Sequence, residues 1–252
     1  MMHHKSSSTV SKNTCCLEKL WIKNCSSLKF FPTGELPSTL ELLCIWGCAN
    51  LESISEKMSP NGTALEYLDI RGYPNLKILP ECLTSLKELH IEDCGGLECF
   101  PKRGLSTPNL MHLRIWRCVN LRSLPQQMKN LTSVHTLSIR GFPGVESFLE
   151  GVFPNMASFS DEESLLPPSL TYLFISELES LTTLALQNLV SLTELGIDCC
   201  LQAQFLELPA TLGRLEITGC PIIKESCLKE KGGYWPNFSH IPCIQIDGSY
   251  IH

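Results

Sequence analysis

The chain has 252 residues, 43% of them hydrophobic and 18% charged, and a net charge of -6. That balance excludes a nucleic-acid groove, which needs a sustained basic stripe. No apolar run reaches the ~18 residues of a membrane-spanning helix, and the opening MMHHKSSSTVSKNTCC lacks the apolar core of a secretion signal, so neither a membrane partner nor export is expected. A cytoplasmic protein is the expectation.

Residues 1–16 are polar, with a serine run, and read as a disordered N-terminal segment. From Leu17 onward one pattern recurs. Its clearest copy is LMHLRIWRCVNLRSLP, with apolar Leu110, Leu113, Ile115, Cys118, Leu121 and Leu124 at offsets 0, 3, 5, 8, 11 and 14. The alternation of Leu113-Arg114-Ile115-Trp116 sends leucine and isoleucine to one side of a short strand and arginine and tryptophan to the other. The frame repeats from Leu17, Leu40, Leu65, Leu86, Val134, Leu170, Leu192 and Leu212, mostly 20 to 25 residues apart, with a partial copy at Ile241, Ile244 and Ile246. One unit cannot bury its own apolar edge and needs a copy above and below, so the pattern predicts a leucine-rich-repeat solenoid. Each buried leucine or isoleucine contributes on the order of 1.5–3 kcal/mol.

Prolines close many units, as at Phe31-Pro32, Leu79-Pro80, Phe100-Pro101 and Leu124-Pro125. They suit extended returns and forbid a long helix. The expected fold is an α/β-type horseshoe with a concave parallel β-sheet and a mostly irregular convex side. About nine repeats occupy residues 17–220, interrupted by an acidic, serine-containing insertion near 150–168 that reads as a surface loop. Residues 221–252 break the period and read as a closing unit, with a charged, helical Pro221–Lys231, apolar cover from Tyr234, Trp235 and Phe238, and a last strand at Cys243–Ile246. Nothing before Leu17 resembles the polar cap a terminal repeat needs. Either the first repeat frays or something outside this chain covers it, and the second reading is preferred.

Six of the fourteen cysteines (Cys25, Cys48, Cys94, Cys118, Cys200, Cys220) fall at offset 8. They are expected as a reduced interior ladder, since free cysteine packs as a small hydrophobe and no CxxC pair argues for metal or disulfides. Sequons at Asn24, Asn61, Asn130 and Asn237 are read as chance. Charge is uneven: residues 1–140 carry 16 Lys+Arg against 12 Asp+Glu, and residues 141–252 carry 4 against 14. A mildly basic front and a strongly acidic rear bear on partner choice and orientation.

Offsets 2, 4 and 6 face away from the core, into the concave side. Trp21, Trp46 and Trp116, three of the four tryptophans, fall there. Tryptophan, tyrosine and arginine are the residues enriched at interaction hot spots. The candidate protein-binding residues are Trp21, Trp46, Tyr67, Arg71, His90, Arg114, Trp116 and Arg140; the competing reading is that the rings merely cover neighbouring strands. No phosphate loop, HExxH, GxSxG or GxGxxG occurs, so no catalytic residue, metal or cofactor is expected. His90 and His112 are read as surface histidines, and Cys243 near His240 is discounted as a nucleophile because it lies in the closing strand.

The units WIKNCSSLKFFP, IWGCANLESI, IEDCGGLECFP and IWRCVNLRSLP, with the ending GCPIIKESCLKEKGGYWPNFSHIPCIQIDG, closely resemble the C-terminal leucine-rich-repeat region of plant coiled-coil nucleotide-binding (NB-ARC) disease-resistance proteins. The resemblance covers about Leu17 to Gly248. It implies an intracellular immune receptor's sensing module, which takes part in pathogen recognition and defence and restrains the receptor's switch. The implied partners are a pathogen effector or a guarded host protein, and a nucleotide-binding domain N-terminal to the repeats. The chain itself carries no P-loop. The alternatives are a free-standing intracellular scaffold or adaptor, or a substrate-recognition subunit of a ubiquitin ligase.

Overall fold

The computed structural model describes residues 16–29, 36–51, 64–79, 83–101, 104–121, 124–125, 127–141, 166–203, 205–227 and 238–251. Ten strands stack in parallel: β1 Lys19–Lys23, β2 Leu42–Trp46, β3 Tyr67–Arg71, β4 Glu88–Glu92, β5 His112–Trp116, β6 Thr136–Arg140, β7 Tyr172–Ser176, β9 Glu194–Asp198, β11 Arg214–Thr218 and β12 Cys243–Ile246. A short antiparallel β13, Ser249–Tyr250, closes the sheet on β12. On the far side, β8 Thr183–Ala185 pairs in parallel with β10 Phe205–Glu207. The convex side also carries a 3-10 turn at Met128–Asn130 and a helix, α1 Pro221–Ser226.

The register reproduces the template. Leu20, Leu43, Leu68, Leu89, Leu113, Leu137, Leu173, Leu195, Leu215 and Ile244 lie at one height, and Ile22, Ile45, Ile70, Ile91, Ile115, Ile139, Ile175, Ile197, Ile217 and Ile246 at another. From β2 onward these side chains are buried. A one-residue slip would turn the whole set outward, so burial on one face fixes the register. β1 is the outer edge of the sheet: Leu20 and Ile22 are only partly buried, Cys25 is exposed and Trp21 is 50% exposed.

Two devices hold one coil to the next. The offset-8 cysteines Cys48, Cys94, Cys118, Cys200 and Cys220 are buried and unbridged, and their thiols donate to strand carbonyls, as Cys94 Sγ does to Glu92 O at 3.3 Å and Ile70 O at 3.7 Å. An asparagine ladder runs beside them at offset 10: Asn50, Asn75 and Asn120 each donate to a carbonyl of the preceding repeat, Ser26, Ala49 and Gly95. The residue after every stacked parallel strand has a left-handed backbone, glycine at Gly47, Gly72, Gly141 and Gly219, but Asn24, Asp93, Arg117, Glu177, Cys199 and Asp247 elsewhere. A non-glycine residue in that region costs on the order of 1 kcal/mol. The turn recovers hydrogen bonds between repeats, for example Arg117 N to Arg140 O at 2.7 Å.

The expected disordered segment lies outside the described residues apart from Cys16, as does the acidic insertion apart from residues 166–168. Phe31, Ile54, Phe142, Val145, Phe148, Tyr234 and Trp235 also lie outside them, as does the Leu206 side chain. Phe238 is buried as expected.

Candidate binding surface on the concave face

Short strands of equal length bring the offset-2, 4 and 6 side chains into three columns on one face. Curvature crowds these columns more than alternation alone suggests. Cys44, Asp69, Ser138 and Ser176 are buried although they point away from the leucine core. Trp46 and Trp116, expected as exposed rings, are half-buried, because basic side chains lie across them. Lys23 Nζ sits 3.9 Å and Arg71 5.0 Å from the Trp46 ring centre; Arg114 sits 4.5 Å and Arg140 5.8 Å from that of Trp116. Such cation–π stacking contributes roughly 0.5–2 kcal/mol, more as water is excluded. The Trp116 indole donates to Ser138 Oγ at 2.8 Å, whereas the buried Trp46 Nε1 has no hydrogen-bond partner among the described residues.

Tyr67, Asp69, Arg71 and His90 form a packed polar cluster. Arg71 donates from Nε and Nη2 to the two oxygens of Asp69 at 2.7 and 2.8 Å, and its Nη1 lies 3.5 Å from Glu92. Asp69 is fully buried, and its hydrogen bond to Arg71 raises the guanidinium's proton affinity further. Burial, and then the Asp69 charge, push the Tyr67 hydroxyl up to about 12 and the Cys44 thiol to about 11. The Tyr67 hydroxyl is 3.2 Å from His90 Nδ1 and 3.4 Å from Asp69 Oδ2, and its ring meets that of His90 edge-on. The His90 side chain is only 14% exposed. Burial, with Arg114 next, holds its pKa below the usual value. His90 is therefore a packed neutral group, not the free surface histidine its position suggested; the neighbouring strands close over offset 4.

The candidate residues fall into two groups. Trp21, Trp46, Tyr67 and Arg71 lie on β1–β3. His90, Arg114, Trp116 and Arg140 line one hollow of about 530 Å³ on β4–β7, with Glu88, His112, Thr136, Ser138, Tyr172 and Phe174. Arg71 is tied to Asp69 and Glu92, and Arg140 donates to Glu177 at 2.6 Å. Arg114 has no carboxylate within ion-pair reach among the described residues; its guanidinium is stacked on Trp116 and otherwise free. A second hollow of about 330 Å³ follows on β7–β11, lined by Tyr172, Phe174, Glu194, Leu195, Gly196, Arg214 and Glu216. Reading the strands one at a time missed it, because its floor is Gly196, whose missing side chain admits the Phe174 ring; a Cβ there would lie 2.8 Å from Phe174.

Among the described residues no group of three or more His, Cys, Asp or Glu is placed to hold a metal ion, and no helix is long and apolar enough to cross a membrane.

A parallel strand mostly every 20 to 25 residues, with one Leu-x-Ile register through nine strands and Ile-x-Ile in the tenth, defines a leucine-rich-repeat solenoid. Its relatives among curated proteins are plant disease-resistance proteins, in agreement with the resemblance carried by the repeat units and the chain's ending. A disease-resistance protein of Arabidopsis thaliana is 28% identical over 306 residues, covering 92% of this chain and 21% of that protein. TMV resistance protein N of Nicotiana glutinosa is 29% identical, covering 62% and 12%. The Arabidopsis protein SUPPRESSOR OF npr1-1, CONSTITUTIVE 1 is 30% identical, covering 52% and 9%. The chain thus spans about a fifth or less of the length of these relatives. No known family profile matches it. Among solved structures, the circular leucine-rich-repeat protein CroV588 aligns with a TM-score of 0.43 at 19% identity, over 77% of this chain and 34% of that one.

Proposed function

We propose that the concave face of β2–β7 is a protein-recognition surface, and that the chain is the sensing module of a disease-resistance receptor. It would bind a pathogen effector or a guarded host protein in the cytoplasm, and also contact a nucleotide-binding domain, helping to restrain its switch. The observation that carries this reading is the Arg114–Trp116 stack in its hollow. There a cation backed by an aromatic ring lines the hollow with no carboxylate in ion-pair reach among the described residues, while Arg71 and Arg140 are already paired. Such a rigid aromatic–arginine anchor in a concave patch is what an interaction hot spot requires.

The test compares wild type with Trp46→Ala, Arg114→Ala and Trp116→Ala in co-immunoprecipitation from infected and healthy leaf extract. Hot-spot truncation costs at least ~1–2 kcal/mol of binding, roughly a tenfold loss or more. The reading predicts partners lost in all three variants, with the melting temperature kept in Arg114→Ala and a cooperative melt retained in the two tryptophan variants. A partner set retained equally by all three variants refutes it.

A further inference from the structure

The two hollows share a wall and carry opposite charge. In the first, Arg114 and Arg140 face a single carboxylate, Glu88, which lies 3.9 Å from His90 Nε2. In the second, Glu194 and Glu216 outnumber Arg214, which lies 3.6 Å from Glu216. Glu194 has no cation within ion-pair reach among the described residues, as Arg114 has no anion. Tyr172 and Phe174 line both hollows. Tyr172 registers both fields: burial first, and then Glu216 and Glu194, push its hydroxyl up, while Arg114 and Arg214 pull it back.

We infer that this pair of hollows docks an extended segment of a protein partner with an acidic residue seated on Arg114, a basic residue on Glu194, and an apolar residue between them on Tyr172 and Phe174. The inference rests on the concave-face reading above and specifies the partner's chemistry. Geometry sets the spacing. Arg114, Ser138, Phe174 and Gly196 are register partners on four adjacent strands, and Glu194 is on the last of these. Three strand steps of ~4.8 Å, with a two-residue offset of ~6.6 Å along the strand, make about 16 Å, which an extended peptide at ~3.3 Å per residue spans in about five residues. Inward curvature brings side-chain tips closer than their backbones, so the acid and the base should stand about three to five residues apart. The order also fixes direction: the acidic residue points toward β1 and the basic one toward β12. Neither charge is neutralised in the free protein, so docking exchanges water for partner groups at both ends without first breaking an internal ion pair.

The experiment pans a phage-displayed dodecapeptide library on the immobilised full chain and on Arg114→Glu and Glu194→Lys, with circular dichroism melts to verify that both variants fold. Wild type should enrich peptides with an acid and a base about four residues apart flanking an apolar residue. Arg114→Glu should reject these peptides by roughly tenfold or more and select a base in place of the acid, and Glu194→Lys should select an acid in place of the base. Enriched peptides without that spacing, or binding indifferent to both charge reversals, overturn the inference. If such peptides are nevertheless lost on Trp46→Ala or Tyr67→Ala, the concave-face reading stands and only the spacing falls. If no concave substitution affects them, both fall. A library yielding no binder overturns the spacing and leaves the concave face to its own co-immunoprecipitation.

Discussion

Removing Arg71 should harm the protein more than removing the carboxylate it binds. Asp69 has a side chain 1% exposed and receives two hydrogen bonds from Arg71, whose own side chain is 36% exposed. Arg71→Ala strands the carboxylate, with the Tyr67 hydroxyl at 3.4 Å its one remaining side-chain partner among the described residues. Breaking a buried pair from one side costs about 3–5 kcal/mol; because the guanidinium reaches solvent, water can enter behind it, and about 2–3 kcal/mol is expected here. Asp69→Ala leaves Arg71 free to turn to water or to Glu92, 3.5 Å away, and should cost about 1 kcal/mol. The double variant should resemble Asp69→Ala alone. Repeat arrays open locally, so denaturant midpoints should be read together with hydrogen exchange of the β3 and β4 amides. Arg71→Ala costing no more than Asp69→Ala, or the two costs adding in the double variant, refutes the buried-pair account.

Gly96→Ala should destabilise by about 3 kcal/mol, the upper range for overpacking, because its Cβ would lie 2.1 Å from Pro74 O of the previous repeat; Gly95→Ala meets only Val119 Cγ2 at 3.9 Å and should stay within about 0.5 kcal/mol. Equal melting shifts for the two alanines would contradict the stacking described. His90 has a folded pKa below its 6.5 reference, so the stability it supports is intact above 6.5 and is lost as pH falls from there through the lower folded pKa; His90→Gln should melt with a flatter dependence below 6.5, and an unchanged profile would count against a packed neutral ring. Among the described residues, brief iodoacetamide labelling of the native chain should modify the exposed Cys16, Cys25 and Cys99 ahead of Cys199, whose hydrogen bond to Asp198 raises its pKa. Cys48, Cys94, Cys118, Cys200 and Cys220 should label only on unfolding, and early modification of any of them, read by peptide mass, would refute the interior ladder.

The fold was legible because one six-point pattern recurs and a parallel stack admits a single register for it. Leu113 and Ile115 could be assigned to the core from alternation alone, and the offset-8 cysteines from their recurrence. The asparagines were harder. Asn50, Asn75 and Asn120 were visible in CANL, YPNL and CVNL, but their ladder runs at offset 10, beside the cysteines. The left-handed turn after each strand was partly written in Gly47, Gly72, Gly141 and Gly219; Arg117 and Glu177 hid it, since those residue types do not signal such a conformation. The candidate site was legible as a face and not as a surface. Alternation tells which way Trp116 points; it does not tell that Arg114 covers it or that Arg71 is spoken for by Asp69. Those facts depend on which residues share a height on different strands, and that follows only once the return lengths have set the register.

That register explains how the solenoid separates stability from recognition. One concave column reads Cys44, Asp69, His90, Arg114, Ser138, Phe174, Gly196, Glu216 and Gln245 at a common height. Small members make room for large neighbours: Ser138 accepts the Trp116 indole proton beside Arg114, and Gly196 lies beneath Phe174. Hollow shape is therefore set by the small residues and hollow charge by those flanking them, while the leucine and isoleucine columns lie on the opposite side of the same strands. A substitution at Arg114 or Glu194 changes what the face attracts without touching a core side chain, whereas one at Leu113 or Leu195 loosens the adjoining repeats together. Binding preference can vary strand by strand for this reason, and an effect of a concave substitution on affinity with no effect on melting is the signature that distinguishes the two sides.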